Sequence, residues 1–181
     1  MIIGIAGTLG AGKGTVVEYL KSKGFVHYST SGMFKAILES QGHTANREAY
    51  TWLGDTFRSL GPAGPIAIQY AIAKQDESDV VIESIHDVPE AEFLKNKGAV
   101  VLGVDVSLET RYERISSRGS EKDSVTFEEF KTIAVHEEEG GGKHNIRGVL
   151  SLADHTIMNN GTIEELHQQV EAWLQTLNHN Q

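Results

Sequence analysis

The 181-residue chain contains no cysteine, so a disulfide frame, a thiolate metal site and a thiol nucleophile are all excluded. It also lacks a surplus of positive charge. Its 16 Lys and Arg against 25 Asp and Glu give a formal net charge of −9. That balance argues against a general nucleic-acid or membrane-surface binder, since such partners demand a basic face. Long apolar runs are missing as well. The hydrophobic start (Ile2, Ile3, Ile5) breaks at glycine far short of the ~20 residues that span a bilayer, and no basic flank marks a signal peptide. A cytoplasmic protein is therefore expected. The 8 histidines show no His-Glu-x-x-His or similar ligand spacing, and there is neither an internal repeat nor a low-complexity tract. What remains is an ordinary globule, 39% hydrophobic and 23% charged, about one domain long by the ~150-residue prior.

One stretch organises the rest. Gly7-Thr8-Leu9-Gly10-Ala11-Gly12-Lys13-Gly14-Thr15 follows the apolar run and precedes a helical pattern. It reads as a phosphate-binding loop: the glycines let backbone N–H groups close on an anion, and Lys13 brings a mobile positive charge. The strand before it and the helix after it are the context this motif requires. Gly7, Leu9, Gly10, Ala11, Gly12, Lys13, Gly14 and Thr15 are thus the candidates for binding ATP phosphates. The residue after the lysine is glycine, with the hydroxyl delayed to Thr15. That leaves open whether Thr15 takes the Mg²⁺ role of the hydroxyl that usually follows the lysine. The Gly-Lys-Gly-Thr ending resembles adenylate kinase and its nucleoside monophosphate kinase relatives.

Downstream, helical and β patterns alternate. Val16, Val17 and Leu20 share a helical face that stops at Gly24, and Phe25 to Tyr28 is a short strand. Ser29-Thr30-Ser31 then offers caps for a helix bearing Phe34 and Leu38. Asn46 caps another helix with Tyr50, Leu53 and Phe57 inward, where Arg58 reaches an acceptor phosphate or remains solvated. Residues 32 to 75 form a helical excursion between strands. Val80-Val81-Ile82 is a buried parallel strand ending at Glu83, an acid placed to hold a Mg²⁺-bound water unless it is a solvated strand end.

Asp87 with Glu90 begins a capped helix that stops near Gly98, and Ala99 to Val106 is the next strand. Arg111, Arg114 and Arg118 follow at steps of three and four on one helical face. Aligned arginines suit a transferring phosphoryl group, the alternative being a solvated face paired to Glu109, Glu113 and Glu121. Residues 118 to 148 turn charged and glycine-rich. They read as a lid, or else a plain loop, with Arg118 at its start and Lys143 and Arg147 at its end. His155 to Met158 is a last strand, Asn159-Asn160-Gly161-Thr162 a turn and cap, and the C-terminal helix turns Leu166, Val170 and Trp173 inward.

Three further runs carry the family resemblance. Ser29 to Ala36 resembles the adenylate kinase segment that opens the acceptor site, normally Ser-Thr-Gly-Asp-Met-Leu-Arg-Ala. The resemblance implies Thr30 as a hydrogen-bonding residue and Lys35 in the place of a phosphate-gripping arginine. Residues 80 to 86 and 152 to 166 resemble an archaeal P-loop family described as adenylate kinase-like or dephospho-coenzyme A kinase-like. Glu83 stands there for an aspartate and His86 for an arginine, which makes His86 a pH-dependent acceptor contact or an ordinary loop histidine. The same resemblance places Asn159 and Asn160 against the ATP base.

The expected fold is α/β, a three-layer P-loop NTP hydrolase fold with about five parallel strands, a helical acceptor lobe at about 30–75 and a lid at about 118–148. The expected activity is transfer of the ATP γ-phosphoryl group, with Mg²⁺, to a small nucleotide-like acceptor by a single-domain monomer. A nucleoside monophosphate is the leading acceptor. Dephospho-coenzyme A is an alternative, and an ATP-binding regulator or ATPase acting on a protein or RNA partner is the reading from another class. Lys13, Arg114, Arg118 and Arg147 are the catalytic candidates, Thr30, Lys35, Arg58 and His86 bind the acceptor, and Thr15 and Glu83 face the metal.

Overall fold

The apolar run after Met1 forms β1 (Ile2–Gly7), the middle strand of a parallel five-stranded sheet. The computed structural model describes residues 1–117, 125–138 and 144–178. β3 (Val80–Ile85) and β4 (Val100–Asp105) flank β1, while β2 (Val26–Ser29) and β5 (His155–Met158) form the edges, in the order β2-β3-β1-β4-β5. Strands covered on both faces need continuous apolar sequence, and Ile3, Ile5, Val81, Ile82 and Leu102 are fully buried.

Helices fill both faces, making three layers. On one side α1 (Lys13–Ser22) and α9 (Ile163–Asn178) bring Val16, Leu20, Leu166 and Val170 against Ile3, Ile5 and Leu102. On the other, α4 (Gly64–Ala73), α5 (Val88–Asn96) and α8 (Ile146–Leu152) bring Ile66, Leu94 and Val149 against Ala6, Ile82 and Ile85. The excursion after β2 contains α2 (Thr30–Ser40) and α3 (Arg47–Ser59), which enclose a separate small core of Phe34, Leu38 and Leu53. α6 (Leu108–Ser116) and α7 (Phe127–Glu138) share another, built on Ile115, Phe130 and Ala134. Among the described residues no helix is long and apolar enough to cross a membrane.

Local chemistry sets the helix starts where the sequence suggests them. The side chains of Ser29, Asn46 and Ser107 accept from Gly32, Ala49 and Thr110 N–H groups, and Asp87 with Glu90 closes a capping box. Two features differ from expectation. β3 runs past Glu83 to Ile85, because Ser84 is an extra residue where β3 slips against β1. Its φ of 77 lies in the left-handed region. Without the bulge, Glu83 and Ile85 would share a face; with it Glu83 pairs with Ile5 and Ile85 with Ala6, on opposite sides of the sheet.

The second difference concerns the stretch expected as a lid. Arg118 and Lys143 lie outside the described residues. Within them α7 packs Phe130 and Ala134 against Ile115, and at the far end Asn145 caps α8, whose Val149 is fully buried in the main core. Arg147 therefore sits on a packed helix.

Candidate active site

The phosphate loop lies between the end of β1 and the first turn of α1, at the carboxyl edge of the sheet. Gly12 has φ 98, and a Cβ there would strike the Asn159 amide, so only glycine fits. Lys13 turns back over the loop, donating to the carbonyls of Gly7 at 2.8 Å and Thr8 at 3.0 Å. Gly14 is the second residue of a helix that protein packing does not require to be glycine, because a Cβ there would meet no atom within 4 Å. A glycine in a helix costs up to ~1 kcal/mol, and the open space beside Gly14 fits a loop shaped to admit a bulky anion.

On the β3 side of β1 a cavity of about 280 Å³ opens between α2, α3 and the end of β3, lined by Thr30, Ser31, Phe34, Tyr50, Arg58, Ser84, His86 and His144 among others. Three of the four sequence-derived acceptor candidates, Thr30, Arg58 and His86, thus meet around one space. Thr30 Oγ1 accepts from Gln69 Nε2 at 2.7 Å, and Gln69 is itself buried. Arg58 is steered by two carboxylates, Asp55 at 3.9 Å and the buried Glu90 at 4.0 Å. Burial raises the Glu90 pKa against the lowering pull of its hydrogen bond from His86 N–H and of Arg58. His86 is not a charged contact. Burial, helped by His144, Lys13 and Arg58, pushes its pKa down to about 3, and its ring lies 4.8 Å from that of His144. Lys35 is not brought to the cavity: it faces solvent from α2, 3.7 Å from Glu39 one turn on.

Glu83 ends the regular part of β3. His27 Nε2 lies 3.1 Å from its Oε2, and this hydrogen bond, with a smaller contribution from Lys13, holds the Glu83 pKa below the usual carboxylate range against the cost of burial. An ionised carboxylate is the form that suits a metal-bound water.

On the β4 side a chain of charges begins in the loop itself. Thr8 Oγ1 donates to Asp105 Oδ1 at 2.9 Å, Arg147 Nη1 donates to Asp105 Oδ2 at 2.6 Å, and Arg147 Nε donates to Glu138 Oε2 at 2.6 Å. Arg111 completes it through Nη1 to Glu138 Oε1. Arg111 is buried and spent on this pair, so it does not share a solvent face with Arg114.

Behind the loop a second cleft, of about 310 Å³, is lined by Gly10, Gly12, Thr15, Arg114, Asn159 and Leu166 among others. Arg114 Nη2 donates to the Asn159 carbonyl at 3.0 Å, which draws it to this cleft and not to the Asp105–Arg147 chain. The Asn159 side chain is committed: its Nδ2 donates to the Ala11 carbonyl at 2.8 Å and fastens the loop to the end of β5. Asn160 Oδ1 accepts from Ser107 N–H at 3.4 Å.

The sequence profile of the AAA domain family matches residues 3–137. The UPF0200 protein of Pyrococcus horikoshii is 32% identical, over 94% of this chain and 94% of that protein. That of Pyrobaculum aerophilum is 30% identical, over 93% and 94%. The chain belongs to the UPF0200 family of AAA domain proteins. Among solved structures, the UPF0200 chain superposes on shikimate kinase from Acinetobacter baumannii, in complex with shikimate, with a TM-score of 0.62 at 19% identity, over 99% of this chain and 94% of that one. It superposes on dephospho-CoA kinase from Campylobacter jejuni with a TM-score of 0.58 at 18% identity, over 97% and 96%. At these identities the likeness is one of fold, and the fold is that of a P-loop kinase.

Three groups in this UPF0200 site were not singled out from sequence. In the sequence Asp105 is only an acid near a strand end, and Glu138 lies in a run of three glutamates that gives it no distinction. Gln69 had a faint signal, a lone polar residue in the apolar helix Ile66 to Ala73. A polar group on a buried helix face needs a partner, and Thr30 is that partner.

Proposed function

We propose that this UPF0200 protein is an ATP- and Mg²⁺-dependent phosphotransferase that moves the γ-phosphoryl group of ATP to a small nucleotide acceptor, a nucleoside monophosphate. The observation that carries the reading is the position of the phosphate loop and the 280 Å³ cavity at the same carboxyl edge of the sheet, with Thr30, Phe34 and Arg58 around the latter. The residues fit the nucleotide: a loop of N–H donors at a helix start, a lysine, and a glycine at 14 whose missing side chain faces open space.

Lys13 and the loop amides would hold the β- and γ-phosphates, with Lys13 exchanging the Gly7 and Thr8 carbonyls for them. Among the described residues no cluster of three or more His, Asp or Glu forms a metal cage. Mg²⁺ usually takes phosphate oxygens, water and one or two side chains, and Thr15 and Glu83 are the two offered here. An acceptor oxygen attacks the γ-phosphorus as the bond to the bridging oxygen breaks, and ADP leaves. Arg147, with Arg114 and Arg118, supplies donors to the spreading charge, while Arg58 and Thr30 hold the acceptor.

A second reading, an alcohol acceptor of the dephospho-coenzyme A class, is favoured by the charge inventory. Arg58 is the one cation among the described lining residues, two carboxylates already face it, and His86 is neutral. Such a cavity suits a hydroxyl better than a dianionic phosphate.

The test is ADP production from ATP and Mg²⁺ with each ribo- and deoxyribonucleoside monophosphate, and with dephospho-coenzyme A, using Lys13→Ala as blank. Fast turnover with one acceptor, lost in the blank, names the substrate. Arg58→Ala then raises the KM for a phosphate-bearing acceptor about 10-fold or more and leaves the KM for ATP alone. Hydrolysis that no acceptor stimulates would refute metabolite phosphorylation and point to an ATPase with a protein or RNA partner.

A further inference from the structure

We infer that Asp105 and Glu138 are positioning residues that hold Arg147 ready beside the phosphate loop, and that Asp105 ties this placement to the loop itself through Thr8. The inference rests on the phosphotransfer reading in one respect only, that Arg147 has a phosphoryl group to meet.

The geometry starts at Thr8. Its carbonyl accepts from Lys13 and its hydroxyl donates to Asp105, so the loop lysine and the Asp105 carboxylate are separated by a single residue. Asp105 is only 7% exposed and its oxygens are divided: Oδ1 takes Thr8 and the Val106 N–H, each at 2.9 Å, and Oδ2 takes Arg147. Glu138 is divided in the same way between Arg147 and the buried Arg111. Each carboxylate therefore fixes Arg147 with one oxygen while the other is anchored in the core.

A charge network between α6, α7, α8 and the sheet that enclosed all its members would scarcely repay their desolvation. Here one member stays in the open. The Arg147 side chain is 48% exposed although two of its nitrogens are fixed, and Nη2 takes part in neither bond. A guanidinium braced on two sides, with donors left over, is the arrangement that stabilises developing charge without reorganisation at the moment of reaction. On this account Arg147 needs no lid to deliver it. It is in place before the nucleotide arrives, and any shift of Thr8 as the loop fills is passed to it through a single carboxylate.

The experiment is calorimetric titration of ATP and of ADP, with Mg²⁺, into the wild type, Arg147→Ala, Asp105→Asn and the double variant. Asp105→Asn keeps an oxygen for Thr8 and Val106 but loses the charge opposite Arg147. The preference for ATP over ADP should fall about 10-fold in Arg147→Ala, by a similar factor in Asp105→Asn, and no further in the double variant. A merely structural role for Asp105 would weaken both nucleotides equally and leave the ratio alone. Glu138→Gln, which spares the Asp105–Thr8 bond, should lower the ratio in the same direction by a smaller factor, and it decides the matter if Asp105→Asn does not fold. An unchanged ratio in both carboxylate variants, or additive losses in the double variant, overturns the inference. So does an unchanged ratio in Arg147→Ala, which leaves phosphotransfer standing. A wild type that binds neither nucleotide defeats the phosphate-loop reading first and the inference with it.

Discussion

Replacing Ser84 by glycine should make the protein more stable, even though it removes a side chain from the candidate acceptor cavity. Ser84 sits at φ 77, where a residue with a Cβ is disfavoured by roughly 1–2 kcal/mol. Glycine removes that strain but gives back about 0.5–1 kcal/mol through the greater freedom of the unfolded chain. The net gain is about 0.5–1 kcal/mol, and at ~2–4 °C per kcal/mol for a chain of this size Tm should rise by about 1–4 °C. Ser84→Ala keeps the Cβ and should stay near the wild type. Ser84→Val adds branching in a region that β-branched residues avoid and should lose at least about 1 kcal/mol. Thermal and urea unfolding of the four proteins gives the order Gly, then Ser and Ala, then Val. If Ser84→Gly fell with Ser84→Val, the strain would not lie at this residue. Turnover should move the other way, with the KM for the acceptor rising in Ser84→Gly as the hydroxyl is lost.

His86 makes stability depend on pH. Its folded pKa of about 3 lies below its ordinary 6.5, so the unfolded chain binds the proton first. The stability it contributes is complete above pH 6.5 and is lost as the pH falls toward 3, by about 2 kcal/mol between pH 6.5 and 5 at 1.36 kcal/mol per unit. Urea unfolding across that range should show a slope that flattens in His86→Gln, and an equal slope in the variant would refute it. Glu90, whose pKa burial raises, acts in the opposite sense by favouring the fold at low pH. Asn159→Ala removes a buried hydrogen bond to Ala11 and should cost about 1–2 kcal/mol without altering the preference for ATP over GTP. A changed base preference would restore Asn159 to the base edge.

The sheet was legible because its three inner strands open on short β-branched runs, Ile2-Ile3, Val80-Val81-Ile82 and Val100-Val101, and the loop because its function demands glycines at fixed spacing. Helix starts were legible from single capping residues such as Asn46 and Asp87. The bulge at Ser84 was not, since nothing local distinguishes a serine in the left-handed region from one in a strand. Lys35 was misdirected by resemblance: which way an α2 side chain points depends on the rotation of that helix against α3, fixed by Phe34, Leu38 and Leu53. The pairs Thr8–Asp105 and Arg111–Glu138 join residues 97 and 27 apart in sequence, a distance across which spacing carries no signal.

The small core between α2 and α3 has a consequence for motion. Phe34, Leu38 and Leu53 pack among themselves and their neighbours, apart from the two large clusters on the sheet. A unit stabilised by so little buried surface opens at a lower free energy than the whole protein unfolds. In hydrogen exchange, the amides of α2 and α3 should form one cooperative group that exchanges well before β1 and β3. Since this pair supplies Thr30, Phe34 and Arg58 to the cavity, an acceptor that binds there would slow exchange across the whole pair, and far less so in the phosphate loop.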